Sequence, residues 1–193
     1  IKHNNDSLKH NRPYSLVQSF GKEVGSQEDE DHRKRLLQVC DDFRNAHPDV
    51  DRFRDVNIED KEDLYYRLIS ECRITCERFA KDSNAVRNYF AFIMGGEYIK
   101  IKVMTQTDEL KILYEDFTNQ RTLPSLIEGI EIYKGERRGA NASSWNLVLA
   151  LDNSYKFIHR IHNGSSKIGQ THQISMKFDV KFHPDTYRDE EII

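Results

Sequence analysis

The apolar residues of this chain change their period once, near Gly95-Gly96, from 3.6 to 2. A repeat of 3.6 lays one stripe of a helix on a core, and a repeat of 2 lays one face of a strand there. The chain therefore divides into a helical first part and a β-rich second part. Helices layered on one face of a mostly antiparallel β-sheet, the α+β class, are the expected fold. No strand-helix-strand alternation supports a doubly wound parallel sheet, and no internal repeat is present.

Residues 1–26 read as an extended arm, pinned by the apolar group of Tyr14, Leu16, Val17 and Phe20. Residues 27–193 read as a single α+β domain, helical over 27–96 and β-rich over 97–183. Glu28-Asp29-Glu30-Asp31 suit the positive start of a helix whose apolar positions are Leu36, Leu37, Cys40 and Phe43. His47-Pro48 stops it, because a residue before proline is pushed out of helical geometry. Asn57 caps the next helix, whose stripe runs through Tyr65, Leu68, Ile69, Cys72, Cys76 and Phe79. Asp82-Ser83-Asn84 restarts a third, carrying Val86, Tyr89, Phe90, Phe92 and Ile93, and the paired glycines fit its left-handed end.

Beyond the glycines, Ile99, Ile101 and Val103 alternate with lysines as a half-buried strand. Thr107 reads as the cap of a short helix with Leu110, Leu113, Tyr114 and Phe117 on one face. Further strands are expected at Ile130 and Ile132, from Trp145 to Leu151, from Tyr155 to Ile161 and from Ile174 to Phe182. Asp152-Asn153-Ser154 is a tight turn that pairs its neighbours as a hairpin. Arg188 to Glu191 reads as a solvated end.

Charge is partitioned along the chain. Residues 1–133 carry 20 basic and 25 acidic side chains, whereas 134–183 carry eight basic and three acidic. Strand parity places Lys156 and Arg160, and Lys177 with Lys181, opposite the apolar sets of their strands. With Arg137 and Arg138 in the nearby loop, six cations form an expected anion or nucleic-acid face. The plainer reading is that these lysines keep exposed strands soluble and discourage edge pairing. Tyr155 and Phe157 share parity with Ile161 and belong to the core, so they offer no stacking platform for bases.

Catalytic signatures are missing. No nucleophile elbow, phosphate-binding loop or dinucleotide fingerprint occurs. His159, His162, His172 and His183 cluster late, but His159 and His162 fall on opposite strand faces and cannot share a metal. No metal or cofactor is expected. Cys40, Cys72 and Cys76 lie on helical apolar stripes, where a thiol packs as a small hydrophobe.

Reduced cysteines suggest an intracellular protein of cytoplasm or nucleus. The sequons at Asn141 and Asn163 leave secretion open. No apolar run approaches the ~20 residues of a membrane span, so no membrane insertion is expected. The chain starts at Ile1 in a polar stretch and reads as an excised fragment. The leading expectation is a non-catalytic interaction module acting through protein–protein contacts, with a protein partner or as a homodimer. RNA, DNA or polyanion binding by the basic face comes next, and a histidine-dependent hydrolase last.

Overall fold

Short polar side chains start the helices where the sequence places them. The computed structural model describes residues 8–95, 99–104, 111–116, 123–136, 142–169, 174–186 and 189–192. Four α-helices lie among them: α1 (Leu16–Ser19), α2 (Gln27–Ala46), α3 (Ile58–Phe79) and α4 (Ser83–Met94). The Asn57 side chain accepts the Asp60 N–H at 2.8 Å, and Asp82 accepts those of Asn84 and Ala85 at 3.1 Å. Each satisfies backbone donors that a first turn leaves unpaired. Gly95 ends α4 with φ +68°, a left-handed conformation that glycine adopts at little cost.

The strands are β1 (Lys9–Asn11), β2 (Ile99–Met104), β3 (Lys111–Asp116), β4 (Ile127–Lys134), β5 (Trp145–Leu151), β6 (Lys156–Asn163), β7 (Met176–Phe182) and β8 (Asp189–Ile192). Five form an antiparallel sheet in the order β1-β7-β6-β5-β4, and β2-β3-β8 form a second antiparallel sheet. The Asp152-Asn153-Ser154 turn joins β5 to β6 as expected, with Ser154 at φ +71°.

One face of the larger sheet is apolar and buried: Leu147, Leu149 and Leu151, then Phe157 and Ile161, then Met176, Phe178, Val180 and Phe182. Helices cover that face. Leu68, Ile69, Cys72 and Cys76 of α3 have no exposed surface, and Tyr89 of α4 packs edge-on against Phe157 at 5.9 Å. Removing each large apolar side chain from water contributes about 1.5–3 kcal/mol, so this layer dominates stability. The α+β expectation of helices on one sheet face is the architecture observed.

The N-terminal segment joins the same core. Phe20 stacks on Phe79 and on Tyr89 with ring centroids 5.0 Å apart in each case. Tyr14 donates its hydroxyl to the Ile174 carbonyl at 2.8 Å, with Cys40 Sγ at 3.0 Å. β1 adds an edge strand to β7.

Two expectations are corrected. Lys111–Asp116 is strand rather than the helix expected around Leu113 and Tyr114; Thr107, Leu110 and Phe117 lie outside the described residues. A helix there would be shorter than the ~12 residues at which isolated helices become marginal. Ile112, Leu113 and Tyr114 favour strand, and β3 gains backbone partners on both sides. Asp189–Ile192, expected as a solvated end, pairs with β3 as β8. Backbone pairing is indifferent to the acidic composition that hid this strand.

Candidate functional site

The register of the larger sheet decides what the basic segment can do. Ile158 lies opposite Lys181, Arg160 opposite Asp179, and His162 opposite Lys177. Lys156, Arg160, Lys177 and Lys181 therefore share the face turned away from the helices, as parity anticipates. Arg137 and Arg138 lie outside the described residues.

That face also carries carboxylates, which sequence counting did not place. Asp179 accepts a hydrogen bond from Arg160 Nη2 at 2.5 Å, and His10 Nδ1 of β1 lies 2.9 Å from its other oxygen. His162 Nε2 lies 3.2 Å away. The His162 ring, the Arg160 guanidinium and the His10 ring hold the Asp179 carboxyl far below the usual carboxylate range, against the opposing push of its partial burial. Lys156 Nζ bonds Asp185 Oδ2 at 2.7 Å. Arg160 and Lys156 are thus committed to acids. The signal was available: Asp179 has the same parity as Lys177 and Lys181.

The histidines are structural in geometry. His159 is fully buried on the core face, its Nε2 2.5 Å from Tyr89 Oη and its Nδ1 without a hydrogen-bond partner among the described residues. Burial pushes its pKa down to about 3. His32, which the sequence did not single out, is also buried: Nε2 lies 2.7 Å from the Pro13 carbonyl, and Nδ1 2.8 Å from Thr75 Oγ1. Burial lowers it to about 4. His183 accepts the Asp185 N–H at 3.2 Å and closes its own turn. His172 lies outside the described residues. The three thiols are free and buried, and burial raises each away from the thiolate form. Among the described residues no group of three or more metal-ligating side chains converges, and no helix is long and apolar enough to cross a membrane.

The feature that sequence reasoning missed is the free edge of the sheet. β4 is eight residues long, whereas the opposite edge strand β1 has three. Among the described residues no strand pairs with the outer side of β4. α3 runs beside it, and between them lies a groove of about 400 Å³ lined by Tyr66, Ser70, Arg73, Ile74, Glu77 and Ile132. Tyr66 is 46% and Ile74 47% exposed, and together with Ile132 they put apolar surface into the groove. Tyr66 also contacts the Trp145 ring, with centroids 4.7 Å apart. Positions 66, 70, 73, 74 and 77 form a second helical face, but Tyr66 and Ile74 alone are too few to read as a stripe.

Comparison with protein-family models, with curated proteins and with solved structures finds no match to this chain.

Proposed function

We propose that this chain is a non-catalytic interaction module that binds another polypeptide at the groove between α3 and the β4 edge. One observation carries the reading: the outer edge of the eight-residue β4, unpaired among the described residues, lies beside two half-exposed apolar side chains, Tyr66 and Ile74. Uncovered backbone donors and acceptors next to apolar surface form a binding surface for polypeptide. The histidine geometry gives no support to hydrolysis, because the buried His159 lies opposite Leu147 and Val180 on the neighbouring strands, with the rings of Tyr89 and Phe178 against it.

Selection of a displayed random-peptide library against the folded chain tests the proposal. Enriched peptides should lose binding to Ile74→Glu and keep it with Val24→Glu, an exposed position of α2's approach loop. Enrichment indifferent to Ile74→Glu, or no enrichment, overturns the reading.

A polyanion reading draws support from the shared face of Lys156, Arg160, Lys177 and Lys181, although Asp179 and Asp185 each take one of these cations. Four phosphate contacts to single-stranded RNA should weaken roughly fifty-fold between about 50 and 200 mM salt. RNA binding without that salt slope, or unaffected by Lys177→Glu with Lys181→Glu, counts against it.

A further inference from the structure

We propose that β4 takes up an extended peptide as a sixth strand, with apolar residues directed under α3 and basic residues set against Glu131. The inference rests on the interaction-module reading and names the chemistry of its partner.

The backbone supplies the first argument. Gly135 N–H donates to the Ser144 carbonyl at 2.8 Å, which fixes the phase of the β4–β5 ladder. Residues two apart on an antiparallel strand aim their amides to the same side. Tyr133, Glu131 and Gly129 therefore face β5, and the N–H and C=O groups of Ile130, Ile132 and Lys134 point outward. The bulge between Ile127 and Gly129 distorts the start of the edge, so Ile130 to Lys134 is the stretch open to pairing. An edge left in this state is a template for another strand.

Side-chain direction supplies the second. A guest residue directly opposite Ile132 shares its sheet face and enters the groove beside Tyr66, Ser70 and Ile74. The guest residues flanking it turn to the other face, beside Glu131 and Tyr133.

Charge supplies the third. Arg73 is paired with Glu77 at 2.7 Å, and Lys134 with Glu62 at 2.6 Å. The charge along the edge that no salt bridge takes up among the described residues is that of Glu128 and Glu131, both exposed, with Lys156 within electrostatic reach of Glu131 but bonded to Asp185. A guest with lysine or arginine at the flanking positions answers it. A second copy answers it poorly. Pairing β4 with itself through Ile132 sets Glu131 opposite Tyr133, and Lys134 lies on the α3 face held by Glu62.

The test uses the synthetic peptide acetyl-Ser-Val-Lys-Val-Lys-Val-Ser-amide, its counterpart with glutamate for lysine, and a version N-methylated at the central valine. Trp145, the one tryptophan of the chain, contacts Tyr66 of the groove and reports occupancy by fluorescence. The lysine peptide should give a saturable signal, the glutamate peptide should bind roughly tenfold more weakly, and N-methylation should abolish binding. Glu131→Lys should invert the charge preference, and amide exchange should slow at Ile130, Ile132 and Lys134. Equal affinity for the two charge types, tolerance of N-methylation, or absent protection overturns strand addition. Library-selected ligands that still depend on Ile74 then leave the broader reading standing, whereas their failure removes both. A concentration-dependent dimer protected at Ile130, Ile132 and Lys134 without peptide also overturns the proposal, by making a second copy the occupant.

Discussion

Acid should unfold this protein through two histidines that fold neutral. His159 and His32 have no exposed surface, and burial lowers them from an ordinary 6.5 to about 3 and about 4. Between those values the unfolded chain binds protons that the folded chain refuses, so stability is complete above pH 6.5 and falls as pH drops toward 4. Each histidine costs about 1.4 kcal/mol per pH unit in that window. At pH 5 the loss is about 2 kcal/mol for each and about 4 kcal/mol together, a large part of the 5–15 kcal/mol typical of a domain. Replacing His159 alone would strand the Tyr89 hydroxyl, so the useful variant is Tyr89→Phe with His159→Phe, which removes both partners. Urea unfolding followed by Trp145 fluorescence at pH 7.5 and pH 5 reads the difference. The variant should lose about 2 kcal/mol less than the parent between the two pH values. Identical losses in the two proteins refute the assignment of a neutral buried His159.

Three further outcomes follow from particular contacts. Asp179→Asn should release His10 and loosen β1, with faster amide exchange at Lys9–Asn11 and a stability loss of about 1 kcal/mol; unchanged exchange would show that the ladder alone holds the strand. Gly95→Ala should cost about 1 kcal/mol in thermal or urea unfolding, since no described residue crowds a Cβ there and the left-handed φ of +68° sets the penalty. If the chain is passed through a secretory pathway, Asn163 should remain unglycosylated by mass spectrometry, because its side-chain nitrogen donates to the Ser165 carbonyl at 2.9 Å and its oxygen meets Tyr65 Oη at 3.3 Å; an occupied sequon would show that this turn opens.

The fold was legible where period and caps agree. Asn57, Asp82 and Gly95 each act locally: one side chain or one φ angle satisfies a helix end without reference to the rest of the chain. The same holds for β5 to β7, whose apolar alternation puts one face on the core and so leaves one register. β3 and β8 were hidden for the opposite reason. Leu113 and Tyr114 fit either period over so short a span, and the acidic run at Asp189 fits neither. Their state is set by pairing with distant backbone.

The candidate site was harder to read because it is made of what is left unpaired. Parity placed four cations on one face, yet it does not reveal that Asp179 gathers His10 and Arg160 from strands on both sides, since that depends on the order β1-β7-β6. Strand order likewise makes β4 an edge, and nothing in Ile-Glu-Gly-Ile-Glu-Ile-Tyr-Lys distinguishes an edge strand from a central one with a polar outer side. The two consequences of topology act in opposite directions. On the outer face, ion pairs with Asp179 and Asp185 lower the net charge available to a polyanion. At the β4 edge, Ile130, Ile132 and Lys134 keep backbone groups that only another strand can fully satisfy in a desolvated contact. A ligand that exchanges water for those groups and covers Tyr66 and Ile74 gains both hydrogen bonds and apolar burial, whereas a ligand on the cationic face must compete with carboxylates already in place. The balance of these terms favours the edge.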